Sequence, residues 1–376
     1  MSAANLSITS SAIDDMPNMT TPPRFHHLTV SDLRRETADA VSLAFAVPPE
    51  VAAAYSFAPG QYLTLRATLD GAEVRRSYSI CSAPASGELR IAVKLIEDGL
   101  LSSFLNSSTK IGDELDVMTP TGRFGQGALQ DGRTYAGFAA GSGITPLMSI
   151  ITHSLEQEPA SRFFLFYGNR AAHSVLFGEA LADLKDRFPD RLAVLHVLSR
   201  EAQDLDDLNG HIDGPKIARW LHHIVPAHLI DQAFICGPEA MIIAAEAALV
   251  QAGVAADKIH NERFVSSLGG APRLRAKPAE AAPAAFVATI IADGKSRDIG
   301  LAAGETILDG ALRAGMDLPF ACKGGMCSTC RAALIEGAAT MDQNFSLQDW
   351  EVQKGFILTC QAHPTTPHVK VDFDAM

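Results

Sequence analysis

Cysteine is scarce in this chain of 376 residues: it has six, too few for a disulfide scaffold. Basic charge is also short, with 31 Lys and Arg against 43 Asp and Glu and a net charge of −12. That balance argues against nucleic acid as the main partner, because phosphate binding calls for a basic footprint. No run of about 18 apolar residues is present, so no transmembrane helix and no membrane association are expected. The nearest approach, residues 138–151, is broken by Gly141, Gly143 and Pro146. Residues 1–21 are rich in Ser, Thr and Ala but lack a basic stretch followed by an apolar run, so they do not read as a secretory signal. The expected compartment is the reducing cytoplasm.

What remains is a chain of ordinary soluble composition, 47% hydrophobic and 20% charged. At about 150 residues per domain its length suggests two to three domains, each able to bury a core without cross-links. After a flexible start (1–23), residues 24–131 are rich in short strand candidates: 41–47, 61–68, 73–80 and 88–96, with one helix near 100–106. Gly- and Pro-bearing turns separate them, and this spacing suggests a small barrel or sandwich. Across 132–268 the rhythm becomes strand, helix, strand: strands at 135–140, 163–167, 192–198 and 232–236 alternate with helices, the first starting at Pro146. Such alternation predicts a doubly wound parallel sheet. Residues 269–285 read as a linker rich in Gly, Pro and Ala, and 286–376 as a further compact unit. It has a strand at 286–292, a helix at 305–314 and a closing strand at 368–373.

Four of the six cysteines fall in the last sixth of the chain. Cys322, Cys327 and Cys330, with Cys360 beyond them, form a C-x4-C-x2-C…C arrangement, the plant-type [2Fe–2S] spacing. Four thiolates must converge on two irons while backbone N–H groups approach the sulfurs. Gly324 and Gly325 would allow that close approach and any positive φ. Ser328 and Thr329 could add hydroxyl donors. Structural zinc is the rival, although its four-Cys sites usually come as two C-x2-C pairs. These last ninety or so residues resemble plant-type ferredoxins, which implies a β-grasp-like fold.

Earlier in the chain, Arg76-Ser-Tyr78-Ser79 closes a strand. A cation, a ring and a hydroxyl at this spacing suit a flavin nucleotide: Arg76 on the pyrophosphate, Tyr78 stacked on the ring, Ser79 near the hydride-accepting nitrogen. Alone, the motif reads equally as an ordinary amphipathic strand. Downstream, Gly99-Leu-Leu101-Ser102 opens a helix whose free N–H groups suit a second phosphate. Together the two motifs resemble the ferredoxin–NADP reductase superfamily over residues 25–264. The resemblance implies FAD rather than FMN, held also by Gln61, Tyr62, Val93 and Lys94.

Ala140-Gly141-Ser-Gly143-Ile-Thr145-Pro146 joins a strand to a helix, a place where glycines let a backbone approach a pyrophosphate. By itself it is also a plain tight turn. The resemblance makes it the NAD(P) loop, places Cys236-Gly237-Pro238 beside the nicotinamide, and brings Glu262 and Phe264 to the reacting rings. Cys236 reads otherwise as a buried structural thiol, and Cys81 as a core residue. Arg170 and the pair Ser199-Arg200 follow successive strands, where an arginine can receive a 2′-phosphate, so NADPH is expected over NADH. Singly, each arginine reads as readily as a solvated surface residue. Ser79, Cys236 and Glu262 are the expected catalytic set.

The order flavin, nucleotide, ferredoxin is similar to that of oxygenase reductases. Residues 337–347 and 355–361 resemble the reductase subunits of phenylacetyl-CoA epoxidases, which implies NADPH-driven electron delivery through FAD and [2Fe–2S] to a di-iron oxygenase complex. Reductases of steroid hydroxylases or of Rieske ring-hydroxylating oxygenases are the alternatives, and a non-turnover redox sensor is the alternative of a different class.

Overall fold

The computed structural model describes residues 5–7, 23–264 and 284–375. The described chain forms two compact units, Phe25–Phe264 on one side and the described parts of Met1–Arg24 and Val265–Met376 on the other. Most of the expected linker, 269–285, lies outside the described residues.

Six antiparallel strands begin the first unit. Their order across the sheet is Ala72–Ser79, Tyr62–Leu69, Glu114–Met118, Phe25–Thr37, Ala40–Ala46, Leu89–Lys94. A bridge between Ile80 and Ile91, with the Cys81 N–H donating to the Arg90 carbonyl at 2.9 Å, joins the two edge strands and closes the sheet into a barrel. Closure leaves no free edge. Leu28, Leu43, Leu63, Ile91 and Val117 fill the interior, all with less than 1% exposure. Six of the seven residues of the strand Ala40–Ala46 are buried. Val41, Leu43 and Phe45 face the barrel core. On the other face Ser42 is covered by the guanidinium of Arg90, whose Nη1 donates to Ser42 Oγ at 2.9 Å.

The second half of this unit is a five-stranded parallel sheet. Its order is Leu192–Leu198, Arg162–Asn169, Thr134–Ala140, Gln232–Cys236, Ile259–Glu262. Counted along the chain this is 3-2-1-4-5, the doubly wound order. Alternate residues of each strand serve opposite faces. Tyr135, Phe163 and Tyr167 meet the helices Ile144–Gln157 and Gly178–Arg187. Phe138 and Phe166 meet Gly214–His223 and Glu239–Gln251. Phe138, Phe166 and Trp220 stack in series with centroid separations of 5.0 and 4.6 Å. The first helix starts at Ile144, two residues before Pro146, because a 3₁₀ turn at Gly141–Gly143 leads directly into it.

In the second unit a mixed five-stranded sheet runs Lys295–Leu301, Phe286–Ala292, His368–Asp372, Arg331–Glu336, Phe356–Leu358. The helix Ile307–Arg313 packs on it through Ile307, Leu308 and Ala311. It is capped by Thr306, whose Oγ1 accepts the Asp309 N–H at 3.1 Å. A small sheet of Asn5–Ser7, Ala338–Met341 and Ala362–Pro364 completes the unit.

Candidate redox sites

Between the first and fourth strands of the parallel sheet the strand order reverses, opening a crevice at their carboxyl ends where ligands of such sheets bind. Two loops meet there. A Cβ on Gly143 would overlap the Cys236 carbonyl and lie 2.9 Å from Gly237 N. A Cβ on Gly237 would come within 2.6 Å of Met241 Cε and 3.2 Å of Ala140. Gly143 is therefore required by loop-to-loop packing, whereas at Gly237 the tightest contact falls on the flexible end of Met241. Gly141 differs: it takes φ +54° with open space where its Cβ would be, so a ligand could approach there. Thr145 is buried, and its hydroxyl donates to the Ser142 carbonyl at 3.0 Å, fixing the turn.

The barrel contributes its strand end to the same crevice. Ser79 Oγ donates to Glu262 Oε2 at 3.0 Å, and Glu262 is the register partner of Cys236 on the neighbouring strand. All three expected catalytic residues thus converge. Burial pushes the Glu262 carboxyl from 4.5 up to about 7, with the Ser79 hydrogen bond pulling the other way. Cys236 is fully buried; burial first, and the Glu262 carboxylate second, push its thiol well up, so it stays protonated. Phe264 is half-buried against the same cluster of side chains. Cys81 is a core residue whose Sγ donates to the Arg90 carbonyl at 3.4 Å.

The other expected flavin residues differ in what their side chains can offer. The Arg76 Nη1 donates to the Arg75 carbonyl at 2.7 Å, and no carboxylate pairs with it among the described residues, leaving its charge for a phosphate. Tyr78 packs against the barrel core, and burial raises its hydroxyl above the usual range. Ser102 turns inward: its Oγ donates to Gly99 O at 2.9 Å and accepts the Ile96 N–H at 3.2 Å. A Cβ on Gly99 would collide with that hydroxyl, so the Gly-x-x-Ser pairing is a packing requirement. What this helix start presents to a ligand is its backbone, since Ser103 is the first N–H to reach a helical acceptor, Gly99 O at 2.9 Å. Leu101 and Val93 point into the core, and Lys94 pairs with Asp39 at 3.3 Å. Gln61 holds its own turn, accepting the Ala58 N–H and donating to the Gly122 carbonyl. Tyr62 is buried, and a Cβ on Gly122 would strike its ring at 2.8 Å.

Arg170 and Arg200 lie side by side. The Arg200 N–H donates to the Arg170 carbonyl at 2.8 Å and the Ser199 N–H to Asn169 O at 3.0 Å. Both side chains are exposed, and among the described residues neither has a carboxylate partner. Sequence reasoning overlooked Glu201 in this loop, which accepts the Ala172 N–H at 2.8 Å. It also overlooked Ser149, a fully buried helix residue that donates to the Ser82 carbonyl at 2.6 Å and ties the nucleotide half to the barrel. Neither belongs to a recognisable motif.

In the second unit the four cysteines group as two pairs. The Cys322 and Cys327 thiols interact, as do those of Cys330 and Cys360. Among the described residues no three such groups converge as they would on one ion. The fit to a cluster is visible in the backbone. The Gly324 N–H donates to Cys322 Sγ at 3.3 Å, and the Cys322 N–H to Cys327 Sγ at 3.5 Å. The Cys327 thiol and the surrounding N–H groups hold Cys322 down at about 6. The Thr329 hydroxyl also donates to the Cys327 sulfur. The expected glycine geometry is redistributed: Gly325 takes φ +76°, Gly324 does not, and Lys323 and Ser328 adopt φ +50° and +49°. A side chain at Gly325 would meet the Gln343 carbonyl at 2.9 Å, so that glycine is needed for closeness as well.

Family models match all three regions. Residues 27–125 match an oxidoreductase FAD-binding domain, 138–247 an oxidoreductase NAD-binding domain, and 290–365 a 2Fe-2S iron-sulfur cluster binding domain. The chain is 46% identical over 355 residues to a subunit of the 1,2-phenylacetyl-CoA epoxidase of Escherichia coli (strain K12), covering 93% of this chain and 98% of that one. The chain belongs to the flavin- and iron–sulfur-containing oxygenase reductase family. It is also 35% identical to the ferredoxin reductase component of 3-ketosteroid-9-alpha-monooxygenase from Rhodococcus rhodochrous, over 92% and 96% of the two chains. Phthalate dioxygenase reductase shares the fold, with a TM-score of 0.57 at 23% identity over 93% of this chain and 98% of that one. This reductase therefore has FAD-, NAD- and 2Fe-2S-binding domains and is an oxidoreductase that supplies electrons to an oxygenase. No described helix is long and apolar enough to cross a membrane.

Proposed function

We propose that this reductase uses NADPH and serves a cytoplasmic 1,2-phenylacetyl-CoA epoxidase, delivering electrons to a separate di-iron oxygenase. The observation that carries the choice of partner is the 46% identity to the epoxidase subunit from Escherichia coli, which runs through nearly the whole of both chains. When bound, the flavin takes the two electrons of a hydride together and the iron–sulfur cluster passes them on singly. The chain's own part is placement. Arg76 and the N-terminal amides of the helix Leu100–Ser107 receive the flavin pyrophosphate, and Tyr78 lies along the ring. Gly141 and the Gly143–Gly237 crossing shape the nucleotide crevice, with Thr145 bracing its turn. Arg170, Ser199 and Arg200 receive the 2′-phosphate. Ser79 and Glu262 sit at the reacting rings, and Glu262, titrating at about 7, can hold or release a proton there under working conditions. Phe264 shields the rings, and Cys236 acts as a neutral wall. Cys322, Cys327, Cys330 and Cys360 hold the cluster. The corresponding domain limits are 24–131, 132–268 and 286–376, joined by 269–285.

The test is reconstitution. The purified reductase, NADPH, dioxygen and the oxygenase subunits should together convert phenylacetyl-CoA to its epoxide, the second oxygen atom leaving as water, with turnover dependent on the reductase. Support of ketosteroid hydroxylation instead would favour the reading that the 35% identity to the ketosteroid reductase suggests. Cofactors that are reduced but pass electrons to no oxygenase would favour a sensor.

A further inference from the structure

A buried ion pair of the second unit stands beside the metal ligands. Arg331 directly follows Cys330, and its Nε lies 2.9 Å from Glu351 Oε1. The two side chains are only 8% and 2% exposed. The pair Lys323–Asp309 of the same unit, by contrast, has side chains 43% and 50% exposed and is worth little. Burial changes the balance. Each charge must leave water, and apolar residues of like size often serve stability as well or better. Stability alone therefore gives weak reason for charges here.

Their placement suggests another reason. The Arg331 guanidinium lies over the Phe356 ring at 3.5 Å. Arg331 opens the strand Arg331–Glu336, and Phe356 opens the strand Phe356–Leu358, which pairs with it through Arg331–Leu358 and Ala333–Phe356. The first strand leaves Cys330 and the second leads to Cys360. Thr359 ties the two together, its N–H and hydroxyl both donating to the Cys330 carbonyl at 3.2 and 2.8 Å. Glu351 comes from the helix Asp349–Gln353, so the pair also pins that helix to the ligand-bearing strands.

We propose that the Arg331–Glu351 pair is a charge-balanced clamp on the strands carrying Cys330 and Cys360, and that its neutrality helps set the potential of the iron–sulfur cluster. A lone buried cation beside the cluster would favour its reduced, more negative state. A lone anion would do the opposite. The paired charges cancel while the guanidinium keeps its stacking position. The inference rests on the iron–sulfur assignment and is independent of which oxygenase accepts the electrons.

The experiment is a dye-equilibrated redox titration of the full-length, cofactor-loaded chain, followed by the spin-resonance signal of the reduced cluster. Glu351→Gln should move the midpoint to more positive values and Arg331→Gln to more negative values. The double variant R331M/E351L should return close to the parent midpoint. Shifts of the same sign in both single variants, or no shift in either, would overturn the proposal, because loosened packing does not distinguish the sign of the removed charge. If a single variant fails to retain its cluster, the double variant decides. Recovery of the cluster there supports charge balance, and its loss assigns the pair to packing alone.

Discussion

Ser79 Oγ and Glu262 Oε2 are 3.0 Å apart although 183 residues separate them in the chain. The hydroxyl belongs to the last residue of a barrel strand and the carboxylate to the last residue of the parallel sheet's edge strand. The hydrogen bond is donated to the charged form and so favours it, while burial disfavours it and prevails, leaving the group near 7.

The rate of flavin reduction by NADPH should therefore change with an apparent pKa close to 7, and Glu262→Gln should flatten that profile. Ser79→Ala removes the donor that lowers the carboxyl, so it should move the profile to higher pH. Stopped-flow bleaching of the flavin measures both, and a profile unchanged in Glu262→Gln would refute the assignment. The folding consequence has a defined sign. Because the folded value of about 7 exceeds the ordinary 4.5, the carboxyl's stabilising contribution is complete below 4.5 and is lost as the pH rises through 7. Glu262→Gln should abolish that part of the decline in a pH series of thermal unfolding.

The two glycines of the nucleotide loop should respond unequally to alanine. At Gly141 the space is open and only the φ of +54° resists, so Gly141→Ala should cost about 1 kcal/mol. At Gly143 the new methyl would strike backbone at Cys236 and Gly237, which cannot swing aside, so Gly143→Ala should cost about 3 kcal/mol. Chemical denaturation compares them, and equal losses would mean that the loop-to-loop contact is soft.

Arg200→Ala should raise the KM for NADPH far more than that for NADH, and Arg170→Ala should act in the same direction, because their backbones are paired at one place. Steady-state kinetics with both nucleotides decides, and equal effects on the two would remove the 2′-phosphate role.

Thr329→Val should lower the midpoint of the cluster, since the hydroxyl donates to the Cys327 sulfur and a donor stabilises the added electron. The valine keeps the volume of this buried side chain, so the cluster should remain bound. A redox titration showing an unchanged or raised midpoint would contradict this.

Where a site is made by neighbours in sequence, the chain announced it. Cys322, Cys327 and Cys330 share one loop, so their spacing points to a [2Fe–2S] site, and Arg76, Tyr78 and Ser79 lie within four residues at the end of one strand. The alternation of strands and helices from residue 135 onwards likewise implied a parallel sheet, because periodicity is a local property. The longest strand, Phe25–Thr37, escaped because bulges at Val30/Asp32 and Arg35/Thr37 break its two-residue period and place charged side chains out of phase. The strand Glu114–Met118 is short and half polar and gave little pattern to read.

Only the tertiary structure decided which partners the named residues have. It turned Ser102 inward onto Gly99, set Gly143 against Cys236, brought Glu262 to Ser79 and placed Glu351 on Arg331. A sequence specifies the chemistry each side chain carries and the period on which it repeats. Burial and contact between distant segments arise only when the sheets pack, and those contacts moved a carboxyl to about 7 and enclosed an ion pair next to Cys330.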